Sequence, residues 1–190
     1  MTVVGLLGLQ GAFLDHIRHL TSLGAGYRII RDAAGLMAVD RLIIPGGEST
    51  VMGKFLQEFR MIDPLRARIA QGMPVWGICA GAVLLAGTVD GGPGRLQVLP
   101  VSVARNAYGR QLASREHDID IPILAAAGGA SPFPAVFIRS PRILAVGPEV
   151  AVHARAFKDP VFVQKGRVMA TTFHPELTMD PVFHHYFMGL

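Results

Sequence analysis

The chain has 190 residues, 51% of them hydrophobic and 17% charged. That length suits one domain able to bury roughly 70% of its unfolded surface, and the composition excludes a disordered chain. The net charge of +4 comes from 18 Lys and Arg against 14 Asp and Glu. The Arg residues are scattered, without a dense run or interleaved aromatics, which argues against a nucleic-acid surface.

The opening MTVVGLLGLQGAF lacks the basic start of a signal peptide and runs directly into Asp15 and His16. Val3–Leu9 is a continuous apolar run, as expected of a strand covered on both faces. Phe13, Ile17, Leu20 and Leu23 then fall at helical spacing, with Gly24 as the stop. Tyr27–Ile30 and Arg41–Ile44 read as short strands. Leu65 and Ile69 mark a helix after Pro64, and Pro74–Ile78 is a further strand. Strands alternating with helices predict a mostly parallel sheet with helices on both faces.

From Leu96 onward the pattern changes. Val98, Val101 and Val103 suggest extended structure, and Gly91-Gly92-Pro93-Gly94 reads as a flexible loop. Ile121–Ile138 approaches membrane-spanning length, but Pro122, Gly128, Gly129, Pro132 and Pro134 make it strand and loop, so no membrane segment is expected. Val161–Gln164 and Val168–Thr172 read as a hairpin around Lys165-Gly166. Asp180–Leu190 closes the chain as a helix with Phe183, Tyr186, Phe187 and Leu190 on one face, leaving His184 and His185 as surface or packing residues. No repeat or linker divides residues 1–190, so one α/β domain is expected.

The single cysteine, Cys79, lies in VWGICAGAVLLAG, where a strand must turn sharply into a helix. One thiol cannot form an internal disulfide, which predicts a reducing, cytoplasmic setting. Lone cysteines are usually packing residues. This one follows directly on a strand, where ligands bind in open α/β sheets, and small neighbours allow a nucleophile to occupy a strained turn. The start of a helix also favours a thiolate.

A thiol nucleophile needs a base, and the base needs an orienting group. TTFHPELT supplies His174 and Glu176, two apart at the end of a predicted strand, where residues i and i+2 share a side. IIPGGEST, again at a strand end, has two glycines whose backbone N–H groups can approach a substrate closely. It has no Lys for a phosphate loop. Read alone it is a strand–helix turn with Ser49 as cap.

Together LQGAF, IIPGGEST, GICAGAVLLA, RNAYGRQ, FIRSP and TTFHPELT resemble the glutaminase subunits of pyridoxal 5′-phosphate synthases, which are class I (triad-type) glutamine amidotransferases. The segments run from Leu9 to Thr178 in the family's order. GGES, CAG and HPE mark triad glutaminases in general, whereas RNAYGRQ and LQGAF mark this subfamily. The resemblance implies a flavodoxin-like three-layer α/β/α glutaminase domain over residues 1–190. It implies Cys79 as nucleophile, His174 as general base and then acid, and Glu176 as its orienting partner. It places glutamine against Gly47, Glu48, Ser49, Arg105, Ile138 and Arg139. A zwitterionic amino acid asks for that mixture, with Arg and N–H donors for its carboxylate and Glu48 or carbonyls for its ammonium.

The oxyanion donors are then expected from Ala80 and from the Gly46-Gly47 segment, the latter oriented when a synthase subunit docks near Gln10-Gly11. Ammonia would pass to that partner, and the resemblance implies neither a metal nor an organic cofactor for this chain. Tyr108, Trp76 and the SRE of Ser114–Glu116 depart from the family's usual Phe, Phe and SFE, and the apolar Ala125–Ala130 segment is unusual. None of these touches the triad. The nearest rival is a triad glutaminase serving another synthase, such as the imidazole glycerol phosphate enzyme, against which RNAYGRQ counts.

Overall fold

The computed structural model describes residues 2–105 and 114–190. The first half of the chain alternates strand and helix: β1 (Val3–Leu7), α1 (Ile17–Ser22), β2 (Gly26–Ile30), α2 (Ala33–Leu36), β3 (Arg41–Ile44), α3 (Ser49–Glu58), α4 (Ile62–Ala70), β4 (Val75–Ile78) and α5 (Ala80–Leu85). The second half is richer in strands: β5 (Ala86–Val89), β6 (Gly92–Pro93), β7 (Leu99–Ala104), β8 (Ser114–Ile119), α6 (Pro122–Ala125), β9 (Phe133–Ile138), β10 (Arg142–Val146), β11 (Ala151–Ala156), β12 (Asp159–Lys165), β13 (Val168–Thr171) and α7 (Val182–Met188).

The central sheet has seven strands in the order β11-β12-β13-β4-β3-β1-β2. From β13 to β2 all neighbours are parallel, and β12 and β11 extend the sheet antiparallel. Strand alternation splits the core in two. Leu42 and Ile44 of β3 and Val75 of β4 pack with α2–α5 residues such as Leu36, Met52, Leu65 and Leu84. Ile43, Trp76 and Ile78 point the other way, against Leu20, Phe137, Phe173, Phe183 and Phe187. These two cores on opposite faces of one sheet make the expected α/β/α layering.

Some expected elements differ. The helix after β1 starts as a tighter 3-10 turn over Phe13–His16 and becomes α-helical only at Ile17. Gly92-Pro93 is no loose loop, because β6 pairs with Thr88 and Val89 of β5 in a hairpin. Within Ile121–Ile138, Pro122 opens the short helix α6, since proline at a first helical position gives up no hydrogen bond. The closing helix behaves as expected for Phe183 and Phe187, both fully buried, and His184 is a packing residue while His185 is exposed. Among the described residues no helix is long and apolar enough to cross a membrane.

Candidate active site

Cys79 sits in the turn from β4 to α5 with φ 50° and ψ −99°, a backbone conformation that non-glycine residues seldom adopt. Its neighbours hold it there. The Cys79 N–H donates to the Thr171 carbonyl of β13 at 2.8 Å, and its own carbonyl accepts from Val83 at 3.2 Å. Side chains are excluded around the turn: a Cβ on Gly77 would lie 2.6 Å from the Gly81 carbonyl carbon, and one on Gly81 would lie 2.1 Å from the Ile44 carbonyl oxygen. The glycines therefore permit the close approach of α5 to β3 and β4 that lifts the sulfur to the carboxyl ends of the strands.

His174 lies beyond the end of β13, its N–H bonded to the Val136 carbonyl of β9 at 2.8 Å. Glu176 follows in a 3-10 turn, Pro175–Leu177, rather than on an extended strand. The two side chains still meet, with His174 Nδ1 2.7 Å from Glu176 Oε1. The turn is clamped from α1, where Arg18 Nη2 donates to the carbonyls of Glu176 at 2.6 Å and Thr178 at 2.8 Å.

The His174 ring and Cys79 line the same cavity closely enough for Cys79 to affect the ring's proton, and with Nδ1 held by Glu176 it is Nε2 that is left for the thiol. Burial alone would lower the imidazole pKa. The bonds to Cys79 and Glu176, with the charges of both, instead push it up to about 10. Burial would likewise raise the Glu176 carboxyl, but the His174 bond and nearby imidazole charge hold it below the usual carboxylate range. The Cys79 sulfur has a second, long contact to the Ile138 carbonyl at 3.8 Å.

A cavity of about 710 Å³ opens over the sulfur. Cys79, Ala80, His174, Gly46, Gly47, Glu48, Ser49, Arg105, Ile138 and Arg139 all line it, so the residues singled out in the sequence converge, with Glu176 buried behind His174. Glu48, not Ser49, caps α3: its two carboxylate oxygens accept from Thr50 and Val51, each at 3.0 Å. The Thr50 bond leads the effects that hold this carboxyl below its ordinary range.

The Gly46-Gly47 segment is tied to the loop after β1. Ala12 N–H donates to the Gly46 carbonyl at 3.0 Å, and the Gln10 side-chain oxygen accepts from Glu48 N–H at 2.8 Å. Across the cavity, Arg105 Nε donates to Asp90 Oδ2 at 2.6 Å and Nη1 to Thr50 Oγ1 at 2.9 Å. Arg139 has φ 45° at the strand end after Ile138. Sequence reasoning missed Asp90 and Arg18, which position site residues rather than match a motif of their own; it had Gln10 only as part of the docking loop and Thr50 only as the end of IIPGGEST. Tyr108 and the rest of RNAYGRQ after Arg105 lie outside the described residues. Among those described, no group of three or more His, Cys, Asp or Glu is arranged to hold a metal ion.

Fold and site define an α/β protein with a thiol on a strained strand–helix turn, in one cavity with an imidazole that a buried carboxylate holds. The chain belongs to the SNO glutamine amidotransferase family, whose model matches residues 6–189. It is 46% identical over 195 aligned positions to the pyridoxal 5′-phosphate synthase subunit PdxT of Herpetosiphon aurantiacus, covering 98% of this chain and 99% of that protein. A crystal structure described as a glutamine amidotransferase superposes with a TM-score of 0.90 at 42% identity, over 98% of this chain and 97% of the other. A putative GMP synthase protein from Thermoplasma acidophilum shares the fold at a TM-score of 0.69 and 18% identity, over 99% and 93% of the two chains.

Proposed function

We propose that residues 1–190 form one glutaminase domain that hydrolyses L-glutamine to L-glutamate and ammonia. It works in the cytoplasm as the ammonia-supplying subunit of a pyridoxal 5′-phosphate synthase. The observation that carries the chemistry is the chain of contacts from Cys79 through His174 to Glu176 at the floor of one cavity. The particular synthase is supported by close relatives that bear that name over nearly their full length.

With its pKa raised, His174 takes the Cys79 proton as general base and holds it. The thiolate attacks the side-chain amide carbon of glutamine, and the carbonyl electrons move onto oxygen. That oxyanion is met by the Ala80 N–H and an N–H of the Gly46-Gly47 segment. Collapse of the intermediate breaks the C–N bond as His174 gives its proton to the leaving nitrogen, releasing ammonia. His174, now neutral, takes a proton from water, whose oxygen attacks the thioester. Glutamate leaves and the sulfur recovers its charge. Glu176 holds His174 in the Nδ1–H tautomer throughout, as the carboxylate of a triad does. Arg105 and Arg139 receive the α-carboxylate of glutamine, and Glu48 with backbone carbonyls its ammonium.

The partner completes the site. The Gly46 carbonyl is pinned by Ala12, so reorienting the Gly46-Gly47 peptide requires movement of the loop after β1. A synthase docked near Gln10-Gly11 would supply that movement, and ammonia would be released only where an acceptor waits.

The test measures glutamate release from the chain alone and with saturating synthase, for the wild type and Cys79→Ala. The wild type should gain roughly 10²–10³ in rate with the synthase, the worth of one oxyanion donor. The variant should release no glutamate, while its complex still makes product from added ammonium salt. Glutaminase activity in Cys79→Ala would sink the reading; equal rates with and without synthase would remove only the gating.

A further inference from the structure

Three histidines that do not line the cavity lie behind Glu176. His16 closes the 3-10 turn before α1, His19 is in α1 and His184 in α7; their exposures are 0%, 3% and 0%. His16 Nδ1 and His184 Nε2 are 2.9 Å apart, and the rings of His19 and His184 stack with centroids 4.3 Å apart. Trp76 sets its ring edgewise against both His16 and His184. Imidazoles are seldom buried in such numbers without a polar purpose, because each carries two ring nitrogens to satisfy.

The hydrogen-bond inventory around Glu176 is incomplete on one side. Oε1 takes the His174 bond, whereas the buried Oε2 has no hydrogen-bond partner among the described residues. His16 Nε2 is also buried and unpartnered. Burial drives His16 down to about 4, against the pull of the Glu176 charge and with the His19 and His174 charges acting in the same direction as burial. His16 is therefore neutral at physiological pH, with a proton on only one nitrogen.

Its bond to His184 admits two arrangements. If His16 Nδ1–H donates, Nε2 is left as a bare lone pair in the field of a buried carboxylate, which is repulsive. If His184 Nε2–H donates instead, His16 carries its proton on Nε2. Electrostatics in a low-dielectric interior selects the second. We propose that His16 is a positioning residue of the catalytic centre: His184 fixes it in the Nε2–H tautomer, and its N–H dipole keeps the second oxygen of Glu176 in place, so that the first stays aimed at His174. The proposal rests on the reading of Glu176 as the group that orients His174. It extends the triad inward by two imidazoles from elements at opposite ends of the chain.

The first test is imidazole 15N NMR of the histidine-labelled full chain at neutral pH, with His16 assigned by signal loss in His16→Gln. A neutral ring protonated at Nε2 is expected; an Nδ1–H ring or an imidazolium overturns the proposal. The second test is steady-state glutamine hydrolysis in the complex with synthase. His16→Phe should lose roughly tenfold in kcat, the usual order for a partner that orients a catalytic imidazole, with KM unchanged within about twofold. His16→Gln, whose amide N–H reaches the Nε2 position, should recover most of that loss. Equal kcat in a folded His16→Phe and the wild type, or no difference between Phe and Gln, overturns it.

Should His16→Phe not fold, His184→Phe removes the donor that fixes the tautomer. The His16 resonances should then shift toward a mixture, and an unchanged tautomer counts against the proposal. A wild-type complex without glutaminase activity would sink the underlying reading instead, and the NMR result would stand apart from it.

Discussion

Gly46 and His174 pack so closely that a Cβ on Gly46 would lie 2.3 Å from the imidazole Cε1 and 3.0 Å from Nδ1. The ring cannot simply retreat, because Nδ1 is held by Glu176 and the His174 backbone by Val136. Gly46→Ala should therefore displace the base. A misplacement near 1 Å costs roughly 10²-fold in rate, and overpacking costs about 1–3 kcal/mol in stability. Glutaminase rates with synthase present, read beside a urea unfolding curve, check this. A near-wild-type rate in Gly46→Ala would show that the ring has room to move.

The strained turn at Cys79 predicts an unusual order of stabilities. Cys79→Gly and Cys79→Ala both remove the sulfur, and neither should hydrolyse glutamine. They differ in backbone, since alanine retains the cost of φ 50° and glycine does not. Positive-φ strain of this sort is worth on the order of 1–3 kcal/mol, and glycine gives back about 0.5–1 kcal/mol in unfolded-state entropy. Cys79→Gly should thus be the more stable variant by about 1 kcal/mol in urea unfolding. Equal midpoints and slopes would mean that the turn is relaxed.

The parallel half of the fold was legible because its strands are buried on both faces and read as apolar runs: Val3–Leu7, Arg41–Ile44 and Val75–Ile78. Ser114–Ile119 was not. Among the described residues its sequence SREHDI pairs only with Phe133–Ile138, so burial imposes no apolar run on it. Ala151–Ala156 was hidden for a related reason, as an edge strand whose register with β12 shifts twice. At the site, the motif residues were readable since the chemistry constrains their type. Asp90 was not, because it is the long-range pairing of β5 with β7, Val89 beside Val103, that brings it to Arg105. Ser49 looked like the cap by residue preference, yet the Glu48 carboxylate accepts two N–H groups at once and wins.

Asp90 therefore becomes a handle on substrate recognition. Its two oxygens accept the backbone N–H and the Nε–H of Arg105, at 2.8 and 2.6 Å, while Thr50 receives Nη1. Asp90→Asn keeps the size of the side chain but removes the charge that holds the guanidinium over the cavity. KM for glutamine should rise roughly three- to tenfold with little change in kcat, the pattern of lost uniform binding. Arg139→Ala should do the same. Unchanged KM in both folded variants would argue that glutamine binds elsewhere in the cavity.

The His174–Glu176 pair should also write itself into the pH dependence of stability. His174 is raised from 6.5 to about 10 on folding, so its stabilising contribution is complete below about pH 6.5 and is lost as pH rises through about 10. Glu176 is lowered from 4.5, so its contribution is complete above that value and is lost only as pH falls through the lower, folded one. Both contributions are full in the window between about pH 5 and about pH 6.5. Glu176→Gln removes the carboxylate and with it much of what holds the His174 proton. The stability gap between wild type and Glu176→Gln should be widest in that window and narrow steadily toward about pH 10. Cys79→Ala should show a shallower alkaline decline than the wild type, since the Cys79 bond and charge also help to raise His174. Denaturant unfolding of the three proteins across that range decides the matter. A gap that stays constant with pH would mean that His174 does not keep its proton through the bond to Glu176.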